Sequence, residues 1–297
     1  MRRILWAIAA LAAIGLAGYW FVTRPAGLAA GAMDGLAPAD PARGELVFWA
    51  AGCASCHAAE GAKDAALLEL GGGRRFPSPF GTFVAPNISP DPDHGIGGWT
   101  ALDLARAMTL GVSPDGRHYF PAFPYTSYAR AGLQDIADLH AFLMTLPPVA
   151  TPSQPHEVPF PFGIRRNLGV WKALYLDPSW VLDGDLTAEE MRGRYLVEAL
   201  GHCGECHTPR DALGGPDRAR WLAGGPVPGG EGRFPNITPA KLTWSEDEIV
   251  EYLTTGFTPD FDSAGGHMAL VVGNLARLPA ADRTAIARYL GRVPAAE

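Results

Sequence analysis

The strings Cys53-Ala54-Ser55-Cys56-His57 and Cys203-Gly204-Glu205-Cys206-His207 contain all four cysteines of this 297-residue chain. Two cysteines that are separated by two residues and followed by histidine form the attachment pattern of c-type haem. On a helical turn the residues at i and i+3 share a face, so both sulfurs can reach the two vinyl groups of one porphyrin. The histidine that follows can supply the proximal iron ligand. The strings therefore predict two covalent haem c groups, one held by Cys53, Cys56 and His57 and the other by Cys203, Cys206 and His207.

Other chemistries of paired cysteines fit this spacing less well. A zinc ribbon places its two cysteine pairs roughly 15–20 residues apart, whereas 147 residues separate Cys56 from Cys203. A thioredoxin-like redox pair requires neither the histidine nor a second copy of the string. We therefore expect haem iron at both strings rather than zinc or thiol–disulfide chemistry.

The composition describes a folded chain with room for about two domains. Apolar residues make up 47% and charged residues 19% of the sequence, which is unlike a disordered protein. The 36 glycines and 27 prolines predict long loops between the regular elements. The net charge of −7 disfavours nucleic acid, and we expect no such partner.

The amino terminus predicts export and membrane attachment. Residues 4–22 form an uncharged, mostly apolar run of 19, and Arg2 and Arg3 precede it. A spanning helix needs roughly 17–25 such residues, whereas the apolar core of a secretory signal has roughly 7–15. We therefore expect residues 1–32 to be an uncleaved anchor with its arginines in the cytoplasm. A cleaved signal is the alternative, because Ala30-Gly31-Ala32 offers a small-residue site.

Each haem string heads one copy of a repeated module. In both copies a tryptophan is followed by a hydroxyl residue, Thr100 or Ser245, which predicts the N-cap of a helix. A glycine, Gly111 or Gly256, predicts the end of that helix. A last helix then closes each copy, near Leu133–Leu146 and near Ala281–Val293. This order of short helices and long loops resembles the class I cytochrome c fold.

The predicted fold class is all-α, with two tandem class I cytochrome c domains that have long Gly/Pro-rich loops and follow an N-terminal transmembrane helix. We place domain 1 at residues 38–150 and domain 2 at residues 188–297. Residues 151–187 between them are rich in proline and aromatic side chains, too apolar for a free linker. We expect this interdomain strap to lie across both modules and to fix the distance between the haems.

The register of the repeat locates the expected distal ligand position in each module. The pairs Trp99/Trp244 and Gly111/Gly256 are both 145 residues apart, and the same shift relates Phe123 to Met268. Met268 stands where a thioether ligand of the second haem is expected. Phe123 cannot bind iron.

Three possibilities remain open for the sixth position of the first haem. Met108 lies on the helix before the distal loop and is our preferred ligand, although methionine also fills gaps in apolar cores. His118, in the loop itself, is the second candidate. In the third possibility Phe123 shields an iron that has no strong sixth ligand.

The string from Tyr119 to Tyr125 resembles the Tyr-Pro-Ala-Met-Pro-Tyr loop of the cytochrome c subunits of bacterial membrane-bound alcohol and gluconate dehydrogenases. Residues 86–91 and 95–99 resemble the same family, and the similarity extends over most of residues 40–150 and, less tightly, 188–295. The resemblance implies the same roles for the two cysteine–histidine strings and Met268. The chain departs from it twice, because those subunits commonly have three haem strings and a methionine at the place of Phe123.

These observations predict a membrane-tethered periplasmic dihaem cytochrome c without catalytic residues of its own. It would carry single electrons between a dehydrogenase subunit or other donor and a respiratory acceptor such as a cytochrome or an oxidase. The expected location is the periplasmic face of the bacterial inner membrane, or the periplasm if the N-terminal segment is cleaved. The alternative is a haem enzyme or ligand sensor, in which the first haem is the open reacting site and the second its electron port.

Overall fold

The computed structural model describes residues 1–296, and most of their regular structure is helical, in agreement with the predicted class. The helices are α1 (Arg2–Val22), α2 (Pro41–Ala50), α3 (Cys53–His57), α4 (Ala101–Leu110), α5 (Tyr125–Tyr128), α6 (Leu133–Leu143), α7 (Leu168–Tyr175), α8 (Ala188–Arg194), α9 (Gly204–His207), α10 (Glu246–Thr255), α11 (Gly266–Leu275) and α12 (Ala280–Arg292). A π-helical turn, Tyr195–Leu200, continues α8. Short 3-10 turns occur at Asp64–Leu68, Arg165–Asn167 and Arg218–Arg220.

Two small antiparallel hairpins, which the sequence did not lead us to expect, interrupt the helices. Strands β1 (Arg75–Ser78) and β2 (Gly81–Val84) pair in the first half, and β3 (Gly225–Pro226) and β4 (Arg233–Phe234) pair in the second. Thr82 of β2 also exchanges two backbone hydrogen bonds with Glu157, of 3.0 and 2.8 Å. The strap is thereby fixed to the first half.

In each half the first helix crosses the last helix at a glycine. Gly44 of α2 lies against the backbone of Asp138 in α6, and Gly193 of α8 lies against the backbone of Ala285 in α12. A Cβ at either glycine would stand 2.0 Å from the facing carbonyl oxygen. Only glycine therefore permits these two close crossings.

Local sequence signals fix the helices before the distal loops. Thr100 and Ser245 form complete capping boxes with the third residue of α4 and of α10. Gly111 and Gly256 end the two helices in the left-handed conformation, with φ of 59° and 81°. The predicted caps are confirmed, and so are the closing helices α6 and α12.

The last turn of α1 is built into the globular part of the protein. Thr23, the residue after α1, is fully buried. Its hydroxyl accepts a hydrogen bond from Arg166 Nε at 2.7 Å, and its carbonyl accepts one from His118 Nε2 at 2.9 Å. The rest of α1 contributes no buried residue. The helix thus projects from the protein in an orientation that its last turn determines.

Candidate functional site

Each cysteine–histidine string forms a short helix whose thiols face partly open space. Helix α3 contains the first string and α9 most of the second. All four cysteines are unbridged thiols of intermediate exposure. Burial raises the pKa of Cys53 and of Cys203 to about 12, so these thiols are uncharged at neutral pH. Unbridged neutral thiols at positions i and i+3 suit thioether formation with a porphyrin.

The two histidines are oriented for metal binding. Nδ1 of His57 lies 2.8 Å from the carbonyl oxygen of Pro86, and Nδ1 of His207 lies 2.8 Å from that of Pro235. A carbonyl only accepts hydrogen bonds, so Nδ1 carries the proton in both rings and Nε2 keeps its lone pair. Burial lowers the pKa of both rings, which favours the neutral form that binds metal. These donor sets fit a haem iron at each string.

The backbone of the two distal loops follows the 145-residue register. Amide N–H groups of Tyr119 and Ala264 donate to Gly111 and Gly256 respectively, each at 2.7 Å. The amides of Phe123 and Met268 each donate to the residue three positions earlier, at 3.1 Å. Phe123 and Met268 therefore occupy equivalent places in their loops.

Met108 lies in the core of the first half. Its side chain is 3% exposed, and Leu253, its equivalent in α10, is 5% exposed. Both belong to the central apolar cluster, against which Phe123 and Met268 pack as partly buried side chains. The first half thus has a buried thioether where the second has leucine.

His118 occupies a different environment. Its Nε2 donates to the Thr23 carbonyl, and its Nδ1 lies 3.0 Å from Nζ of Lys172. Lys172 also donates to the carbonyls of Leu110 and Gly111, both at 2.6 Å. Burial lowers the pKa of His118, which keeps the ring neutral and lets Nδ1 accept from the lysine. Both ring nitrogens are engaged by protein groups, so His118 joins the anchor to the strap.

The two halves dock on each other's haem strings. Asn274 on α11 donates to the Ser55 hydroxyl at 2.7 Å. In the opposite direction Thr126 and Ser127 on α5 donate to Glu205 Oε1 at 2.8 and 3.1 Å. Ser55 and Glu205 both hold the third position of their strings. The segment after each distal loop therefore contacts the attachment helix of the other half.

A cavity of about 50 Å³ separates the two attachment helices. Cys56 and Ser55 line it from one side, and Cys203 and His202 line it from the other. Trp49, Leu196 and Val271 contribute to its apolar lining, and because one cavity borders both strings, the two sites are neighbours.

Glu205 is an ionised group inside this interface. Burial opposes its charge, but Arg210 and the hydroxyl of Thr126 outweigh burial and lower its pKa. Arg210 is paired directly with the carboxylate. No local pattern in the sequence indicates Glu205 or Asn274, because their partners lie 78 and 219 residues away in the chain.

Comparison with known proteins identifies the family. The model of the cytochrome c family matches residues 41–147, and the chain belongs to that family. It is 60% identical over 298 residues to a protein of Cereibacter sphaeroides described as a diheme cytochrome c-type, and the match covers 100% of both chains.

Cytochrome subunits of dehydrogenases are further relatives. The chain is 40% identical over 260 residues to the fructose dehydrogenase cytochrome subunit of Gluconobacter japonicus, and the match covers 85% of this chain and 52% of that subunit. It is 36% identical over 267 residues to the cytochrome c subunit of the quinone alcohol dehydrogenase of Gluconobacter oxydans, covering 85% and 54%. The chain thus spans about half the length of these two subunits. The resemblance to cytochrome c subunits of alcohol and gluconate dehydrogenases is confirmed.

Proposed function

We propose that this chain is a membrane-tethered dihaem cytochrome c that passes single electrons from a periplasmic donor to a respiratory acceptor. Electron transfer by a haem c protein follows from the family, and the further detail is our proposal. Haem c supplies an iron that alternates between the ferrous and ferric states. The observation that carries the proposal is the pair of hydrogen-bonded contacts by which each half packs on the attachment helix of the other, because neighbouring redox sites form a relay.

Cys53, Cys56 and His57 would hold the first haem, and Cys203, Cys206 and His207 the second. The repeated hydrogen bonds from histidine Nδ1 to a proline carbonyl support the same role for both strings. We accordingly divide the globular part into two tandem cytochrome c domains, residues 38–150 and 188–297, with residues 151–187 as the strap. The glycine crossings and the equal backbone register of the two halves support this division.

Met268 would be the distal ligand of the second haem, since it follows the loop in the expected register. For the first haem we favour Met108, whose thioether is buried in the central cluster against which Phe123 packs. His118 is the weaker candidate, because both of its ring nitrogens already have protein partners.

The anchor would stay attached to the mature protein and hold it at the periplasmic face of the inner membrane. Helix α1 has 21 residues, is the one helix in residues 1–296 that is long and apolar enough to cross a membrane, and lies near the N-terminus, as a signal sequence also does. Cleavage near residue 32 would remove Thr23, which is fully buried, and would leave Arg166 without its hydroxyl partner. This network supports an uncleaved anchor.

The electron donor would be a dehydrogenase subunit, by analogy with the relatives whose names include that activity. The acceptor would be a cytochrome or an oxidase. The acidic interface residue Glu205 is turned inward, so it plays no part in this docking.

The test is a haem count combined with carbon monoxide binding on the full-length protein in detergent. Pyridine haemochrome analysis should give two haems c per chain, and the Cys203→Ala/Cys206→Ala variant should keep one. The reduced wild type should bind little carbon monoxide if Met108 and Met268 close both irons. Stoichiometric binding at one haem would favour the enzyme or sensor, in which the first haem reacts. A count of zero or one haem would refute the dihaem assignment.

A further inference from the structure

Exposed apolar side chains concentrate on one part of the strap. After residue 22, ten large hydrophobic side chains are exposed in the part of the chain that the structure describes, and five of them lie within residues 160–174. Soluble surfaces carry such side chains singly, whereas a contiguous group marks an interaction site. We name the following six residues the strap surface: Phe160, Phe162, Ile164, Val170, Leu174 and Leu213.

Several contacts join the strap to the loop around Leu213. The rings of Phe162 and Phe80 lie 5.2 Å apart, and a Cβ at Gly214 would stand 3.0 Å from the Phe80 ring. Nε1 of Trp171 donates to the carbonyl of Leu213 at 3.0 Å. The strap and the loop around Leu213 therefore meet side by side.

Helix α7 within the strap has its apolar side on the outside. Val170 and Leu174, four residues apart on one face, are 39% and 62% exposed. Gly169 and Lys172 face the protein instead and are buried. A surface helix in water turns its lysine outward and its leucine inward. The reversal in α7 indicates that its outer side faces an apolar medium.

The strap surface adjoins the end of α1. The neighbouring Arg166 donates a hydrogen bond to the carbonyl oxygen of Trp20, and the Tyr19 hydroxyl donates one to Asn167 Oδ1, both at 2.8 Å. Because α1 has 21 residues, its length is about 31 Å, close to the thickness of a bilayer core. The last turn of α1, and the strap that touches it, would therefore lie at the level of the lipid headgroups.

Aromatic and basic side chains at the same level suit this position. Trp20 and Phe21 are 65% and 59% exposed, as in the aromatic belt of membrane proteins. The Arg166 guanidinium lies over the Trp20 ring at 5.4 Å, and that of Arg24 lies over the Phe21 ring at 4.3 Å. Such cations attract anionic headgroups.

We infer that the strap surface inserts into the outer face of the bilayer that α1 spans. This inference rests on the proposed membrane anchor. It gives the protein a second lipid contact, so the haem-bearing halves would keep one orientation relative to the membrane instead of swinging on a single helix.

The test is photocrosslinking of full-length protein in vesicles of phosphatidylethanolamine and phosphatidylglycerol that contain no other protein. A benzoylphenylalanine probe replaces Phe162 or Leu174 in turn. Matched controls carry the probe at Phe261, which is 93% exposed, and at Leu46, which is 37% exposed. A probe at Trp6 reports insertion of α1. Each variant must retain the wild-type haem content.

We expect lipid adducts at positions 162 and 174 in yields similar to that at position 6. Adducts at positions 261 and 46 should be at background level. Adducts at position 6 without any at 162 and 174 would overturn the inference and leave the strap surface to a protein partner. Equal adducts at all five positions would overturn it as well, because the contact would be non-specific. Absence of adducts at position 6 would instead refute the membrane anchor.

Discussion

Two helix pairs pack backbone to backbone at the glycine crossings, and replacing either glycine by alanine should destabilise the protein strongly. A Cβ at Gly193 would stand 2.0 Å from the carbonyl oxygen of Ala285 and 2.7 Å from its carbon. Both are backbone atoms of α12, so they cannot turn away, and α8 must separate from α12. Overpacking of this kind costs about 1–3 kcal/mol. We expect the upper part of that range, about 3 kcal/mol, for Gly193→Ala and equally for Gly44→Ala.

Gly291 provides the matched control on α12. A Cβ there would meet nothing within 4 Å. Alanine at an open helical position stabilises a protein by about 0.5–1 kcal/mol, because it restricts the unfolded chain. Gly193→Ala should therefore lower the midpoint of thermal unfolding by about 6–12 °C, and Gly291→Ala should raise it by about 1–4 °C. The assay is thermal and urea unfolding of the haem-loaded protein in detergent. Shifts of the same sign and size in both variants would refute the close crossing.

Three further predictions concern the haem sites. Met268→Ala should open the second iron, seen as new carbon monoxide binding in the reduced protein and a lower potential, since a soft thioether favours ferrous iron; a silent variant would refute Met268 as ligand. Phe123→Met should place a thioether in the same loop geometry as Met268 and abolish any carbon monoxide binding at the first haem. Met108→Ala should instead create carbon monoxide binding at the first haem if Met108 is the ligand of that haem. Arg210 and hydroxyl donors lower the pKa of Glu205 below the ordinary 4.5. The ionised Glu205 therefore stabilises the folded protein above pH 4.5, and this stabilisation is lost as the pH falls through the lowered pKa. Glu205→Gln should therefore unfold with a weaker dependence on pH below 4.5 in an acid titration followed by Soret absorbance, and an unchanged profile would contradict the assignment.

Features that depend on neighbouring residues in sequence could be predicted, and they are correct in the structure. The caps at Thr100 and Gly111 act through hydrogen bonds and φ angles within one helix, so the local sequence is enough to indicate them. The equivalence of Phe123 and Met268 followed from counting residues, since duplicated loops keep their length. The haem strings are equally local patterns, and haem attachment at them stays a prediction.

Features that depend on distant partners could not be predicted. Nothing local marks His118 as a bridge, because its partners Thr23 and Lys172 lie 95 and 54 residues away. The apolar outer face of α7 was equally hidden, since the sequence does not state which side of a helix faces the protein. Composition indicated that the strap was not a free linker, but its helix and its contact with α1 arise only in the folded chain.

The interface shows how one duplicated contact can give two different sites. The third position of each string binds the segment after the other half's distal loop, but it is the neutral Ser55 in the first half and the ionised Glu205 in the second. A partly buried negative charge beside a haem favours the oxidised iron, whereas a thioether ligand, the role we propose for Met268, favours the reduced iron. In the proposed arrangement these two influences oppose each other at the second haem, whereas the first haem would have the thioether of Met108 without the negative charge. Because Glu205 also accepts hydrogen bonds from α5 of the first half, a change at this one position alters the charge near the second haem and the packing beside the first. The two sites thus differ at their shared boundary, where a substitution in one half affects the other half as well.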